Sequence, residues 1–203
     1  MQTGVNLQSR SGMSLVLDVL TEPADAFRYL AQHRRLGLAL VVYVISLLPT
    51  AYGPSLDVAD DLTLLFQPEA SGLMLGLQSS ISNVLLLFVS AALLHLVARL
   101  LGGRGRYAQI VQAEGMAALP MLLVAPFTVL ANMGVLPFLY HVAVLAAMVW
   151  SVVLSVVAIR ETYGFTTGRA IAALVLQAVA AVVLAVGVAL VIGLLAILVG
   201  AAM

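Results

Sequence analysis

Five apolar stretches, each long enough to cross about 30 Å of hydrocarbon, constrain this chain more than anything else in its sequence. They lie near residues 36 to 55, 73 to 100, 108 to 131, 136 to 159 and 170 to 200. A crossing takes about 20 residues at roughly 1.5 Å each, so the last stretch should tilt or project beyond the membrane. In lipid the backbone must satisfy its hydrogen bonds within a segment, and no stretch alternates with period two as a barrel strand would, so the spans are expected to be helices. With 63% of 203 residues hydrophobic and 9% charged, against about a quarter charged in a soluble domain, a water-facing surface is excluded. The expected fold is an all-α membrane protein. Residues 36–203 form a bundle of five transmembrane helices, and residues 1–35 form a cytoplasmic N-terminal segment with an interfacial helix.

The arginines orient the bundle. Arg10, Arg28, Arg34 and Arg35 precede the first stretch, Arg99, Arg104 and Arg106 surround the second connection, and Arg160 and Arg169 flank the fourth. The connections at 56–72 and 132–135 hold none. By the positive-inside rule this places the N-terminus in the cytoplasm and the C-terminus outside, which requires an odd number of spans. All nine basic residues are Arg and none is Lys; with the Ala, Gly, Val and Leu bias this points to a GC-rich, bacterial genome, and so to a bacterial inner membrane with a periplasmic C-terminus. The earliest apolar run, Leu15 to Leu20, is too short for a signal-peptide core, and no cleavage is expected. The absence of Cys excludes disulfides, thiolate metal sites and Cys nucleophiles. Nine acids cancel nine bases with no long basic patch, so nucleic acid is not an expected partner.

Ahead of the first stretch, Thr21-Glu22-Pro23 reads as a helix start with Thr21 as cap. Ala26, Phe27 and Leu30 then recur at helical spacing, with Asp25, Arg28 and Gln32 elsewhere around the helix. Such a helix lies in the cytoplasmic interface or packs beneath the bundle without touching headgroups.

Three stretches together resemble the bacterial branch of the Yip family, five-span proteins named for Ypt/Rab-GTPase interaction in eukaryotes. The first is Leu20-Thr21-Glu22-Pro23 with Ala26-Phe27-Arg28; the second is His95, then Leu101-Gly102-Gly103-Arg104-Gly105, then Glu114 to Pro120; the third runs from Tyr163-Gly164-Phe165 to Ile171. Met116 stands where the family commonly has Tyr in Gly-Tyr-x-x-x-Pro. Some 35 residues stand ahead of the first stretch where eukaryotic members carry a long cytosolic segment, and Tyr52-Gly53-Pro54 sits at the other end of that stretch from their Tyr-Gly-Pro motif. The resemblance implies a fold and a membrane location, and a non-enzymatic role in organising membrane or scaffolding a partner complex.

Glu114 is the one acid well inside a stretch, about 10 Å along its helix from Tyr107, where an ionisable group is costly unless paired or facing a polar interior. Counting outward from a turn centred near residues 104 and 105 puts His95 at the same depth. His95 and Glu114, with Arg99 nearby, therefore form the candidate intramembrane polar site: a proton-responsive pair, half of a metal site, or a plain tie between helices. Two protein ligands are too few for structural zinc, and no metal or cofactor is expected. Asp57, Asp60, Asp61 and Glu69 make an acidic outer connection. The glycine-rich turn at 102–106 lacks the Lys-Ser/Thr of a nucleotide loop; its Arg104 and Arg106, with Arg34 and Arg35, suit anionic lipid headgroups. Ala143, Ala147, Ser151 and Ser155 recur every four residues, as do Ala181, Ala185, Ala189 and Gly193, which is how helices approach closely in lipid. The short turn between these two helices suggests that the ladders face each other; docking onto a membrane-protein partner or a second copy is the alternative. Pro49, Pro120 and Pro126 should bend their helices. No Ser-His-Asp set, HExxH motif or paired intramembrane Asp supports an enzyme. Two functions remain: a scaffold, or a small transporter or channel subunit working through Glu114 and His95. A water-accessible route to Glu114 favours transport; Glu114 locked to Arg or His in a sealed bundle favours the scaffold.

Overall fold

The computed structural model describes residues 11–51 and 72–202. Among the described residues eight α-helices follow in order: α1 Gly12–Thr21, α2 Pro23–Gln32, α3 Leu36–Ala51, α4 Gly72–Leu100, α5 Tyr107–Ala117, α6 Ala125–Asn132, α7 Pro137–Tyr163 and α8 Thr167–Ala202. A short 3-10 turn, Leu119–Val124, joins α5 to α6, and no strand occurs among the described residues. Among the described residues four helical segments are long and apolar enough to span: Ile81–Leu100, Tyr107–Asn132, Pro137–Tyr163 and Thr167–Leu195. Helix α3 has 16 described residues, about 24 Å of rise, and is shorter than these. Residues 52 to 55 of the first expected span, Arg10, Tyr52-Gly53-Pro54, and the acidic residues Asp57, Asp60, Asp61 and Glu69 lie outside the described residues.

The Tyr107–Asn132 span is the most enclosed of the four, and it is broken. Proline removes a backbone donor and clashes with the preceding turn, so the helix stops at Ala117 and Pro120 enters a 3-10 turn in which the Met121 N–H donates to the Ala118 carbonyl at 3.0 Å. Pro126 sits in the first turn of α6, where its missing N–H is tolerated. Pro49, inside α3, lies opposite: the Thr128 hydroxyl donates to its carbonyl at 2.9 Å, tying α6 to α3.

Beneath the spans the N-terminal segment is folded against the bundle. Helix α1, which the short apolar run did not announce, is capped by Ser11, whose Oγ accepts from the Ser14 N–H at 3.2 Å, and it buries Leu15 and Val19. Helix α2 has Glu22 as its N-cap and Pro23 in its first turn; Thr21 is instead the last residue of α1, its hydroxyl donating back to the Leu17 carbonyl at 3.1 Å. Ala26, Phe27, Tyr29 and Leu30 are buried in the main core, so the chain itself covers the apolar face of α2. Arg28 reaches Glu161 of α7 at 3.2 Å and Asp25 at 3.0 Å.

The loop from Leu101 to Arg106 folds back over the last turn of α4. The Gly103 N–H donates to the Ala98 carbonyl at 2.8 Å. A Cβ on Gly105 would fall 2.7 Å from the Thr162 carbonyl oxygen and 2.8 Å from the Tyr163 ring. Glycine here permits close backbone approach to the end of α7, and a phosphate loop is not needed to explain it.

Candidate functional site

Side chains from five helices meet in an open cleft of about 340 Å3 on the side of the bundle. Tyr43 comes from α3, Ser90 from α4, Glu114 from α5, Ser151 and Ser155 from α7, and Gln177 from α8, with Leu86, Leu87, Ala117, Ala118 and Leu174 completing the walls. Each apolar helix carries a polar residue at the level where the others do. Glu114 is half-buried and accepts one long hydrogen bond, from the Ser90 hydroxyl at 3.5 Å. The Gln177 amide donates to Ser90 Oγ at 2.7 Å, and Tyr43 donates its hydroxyl proton to the Asn83 carbonyl at 3.1 Å.

His95 is not in this cleft. Its Nδ1 lies 2.8 Å from the Tyr163 hydroxyl at the end of α7, its ring meets the edge of Tyr107, and no hydrogen bond joins it to Glu114. The equal-depth count fails because the folded-back loop makes the hairpin asymmetric. Glu114 is about 10 Å into α5, whereas Ser90 is about 15 Å from the end of α4. Five residues separate Ser90 from His95, turning His95 to another face. Arg99 is exposed and forms no ion pair with Glu114 among the described residues.

The two small-residue ladders are likewise parted. Ala147 is buried with Val124, Ala131 and Tyr140, and Ala143 packs on that cluster, so the upper α7 ladder meets the broken Tyr107–Asn132 span. Ser151 and Ser155 face the cleft. Helix α8 packs on α4 and α7 only through its first turns, where Ala170, Ala173 and Gln177 are buried; Ala181, Ala185, Ala189 and Gly193 are all exposed. The short turn brings the first turns of α8 onto α7, and the remaining length of α8 runs clear of it.

At the end of the bundle where α2 packs, the described arginines gather. Arg104 and Arg169 line a cup of about 470 Å3 with Gly102, Gly105, Thr162 and Gly164, and Arg34 and Arg106 line a smaller one of about 120 Å3. Arg35 contributes its N–H to Gln112 Oε1 at 3.0 Å. Gln112, buried at 2% exposure, was passed over in the sequence, as were Ser90 and Gln177; each carried the same signal as Glu114, a polar side chain inside an apolar stretch.

A bundle of long apolar helices, bent at prolines around a polar cleft, with arginines at one end, defines a multi-pass α-helical membrane protein. The Yip1 domain model matches residues 17–197, and the chain belongs to that family. No curated protein and no solved structure matches it.

Proposed function

We propose that this protein is a non-enzymatic, five-span inner-membrane protein of a bacterium that assembles a partner complex or organises membrane around itself, with its N-terminus in the cytoplasm and its C-terminus in the periplasm. In this reading α3 is the first of the five spans. The observation that carries the role is α8: over about 27 Å beyond Gln177 its described side chains are exposed apart from half-buried Ala180, with Ala181, Ala185, Ala189 and Gly193 on one stripe. Small residues at that spacing serve close helix approach, and among the described residues none packs against them. The arginine cups suit the phosphate groups of anionic lipids on the cytoplasmic side. Replacing Ala185 and Ala189 by Phe tests it: the size of the native-membrane assembly should fall to that of the lone chain at unchanged abundance. An assembly of unchanged size rejects the role.

A second reading, a small transporter or channel subunit, is favoured by a different observation. Glu114 opens onto the cleft and is locked to neither Arg nor His. Glu114→Gln separates the two readings, abolishing flux in a transporter and leaving a scaffold's assembly intact.

A further inference from the structure

The cleft around Glu114 is short of hydrogen-bond donors. The Ser90 carbonyl can only accept, so the Gln177 side chain that reaches it at 3.4 Å must present its nitrogen there and its Oε1 elsewhere. That Oε1 is buried without a partner, on a residue only 8% exposed. The Ser90 hydroxyl accepts from Gln177 and has a single proton to give, spent on the long contact to Glu114. The Glu114 carboxylate has no cation paired with it among the described residues. Ser151 Oγ is also buried and unpartnered, and Tyr43 has spent its proton on Asn83. A carboxylate facing this cleft without a paired cation among the described residues favours an occupant that brings positive charge.

We propose that the cleft binds one monovalent cation of the alkali-metal class, held by the Glu114 carboxylate where Ser90, Ser151, Ser155 and Gln177 complete the polar wall. An all-oxygen set without thiolate or imidazole suits a hard cation. One carboxylate against one positive charge leaves the site neutral, whereas a divalent ion leaves an uncompensated charge in low dielectric. At about 340 Å3, and with a liquid water occupying about 30 Å3, the cleft admits an ion that keeps part of its hydration. A protonated amine brings the same charge with three donors, so it forms a separate arm of the test. The site shares its cleft with the transport reading but does not require flux: an ion bound without flux upholds the site and rejects transport.

The full chain in nanodiscs of zwitterionic lipid is titrated with sodium, potassium, methylammonium and magnesium chlorides against choline chloride at constant ionic strength, reading thermal unfolding and radioactive sodium binding. Sodium or potassium should stabilise saturably, and Glu114→Gln and Gln177→Leu should weaken binding about tenfold or more, while Glu161→Gln at the arginine-rich end leaves it unchanged. If Glu114→Gln does not fold, Ser151→Ala and Ser155→Ala take its place, each with a loss of about threefold or more. Alkali stabilisation no greater than that of choline, equal binding in the cleft variants, or a response to methylammonium or magnesium alone overturns the proposal.

Discussion

Gln112 accepts from the Arg35 N–H and donates its amide to the carbonyls of Leu30 and His33. One buried side chain thereby satisfies three backbone groups at the break between α2 and α3, where helix ends leave donors and acceptors orphaned. Gln112→Leu keeps the volume and removes all three bonds; at roughly 1–3 kcal/mol per buried group left unsatisfied, with partial relaxation, it should cost about 2–5 kcal/mol. Denaturant unfolding in detergent micelles measures it, and a loss under about 1 kcal/mol would show that water replaces the amide. Gly105→Ala tests the turn in the opposite sense, by adding an atom: its Cβ meets the Thr162 backbone, which cannot rotate aside, and the cost should be about 1–3 kcal/mol by the same measurement. His95 and Glu114 show what residue-level reading of a sequence lacks. Polarity inside an apolar stretch marks both correctly as unusual, but their partners depend on the helical phase and depth of neighbouring elements, which the folded-back loop alters.

At the level of elements, the long apolar runs made α4, α7 and α8 readable to within a few residues, because lipid leaves the backbone no alternative to a helix. Proline marked the bend in the Tyr107–Asn132 span, though its outcome, a complete interruption by a 3-10 turn, depends on how α3 and α7 pack around it. Helix α1 was illegible, since ten residues containing an acid show no span and its stability comes from burying Leu15 and Val19 under the bundle. The small-residue ladders were visible in register but not in direction, because spacing says nothing about which neighbour a helix face meets. The joint between α3 and α6 rests on the Thr128 hydroxyl at the Pro49 carbonyl, and Thr128→Val should weaken it by about 1 kcal/mol, read as earlier unfolding in a detergent series. No change would assign the joint to packing alone.

For the molecule as a whole, polarity is sorted twice, along the membrane normal and inward from lipid. The arginines of α2 to α8 meet at one end, where Arg28 and Arg160 share Glu161, while the open cleft concentrates the polar side chains that the spans carry. An arginine-rich end held in the cytoplasm and an odd number of crossings are two statements of one topology, on which the placement of the cleft within the bilayer depends. The chain contains no Cys, so single cysteines report position without background. Met13→Cys, at an exposed position of α1, and a cysteine in a short tag after residue 203 can each be probed in intact spheroplasts with a membrane-impermeant maleimide. The five-span arrangement predicts labelling of the C-terminal cysteine from outside and of residue 13 only after permeabilisation; labelling of both from the same side contradicts it.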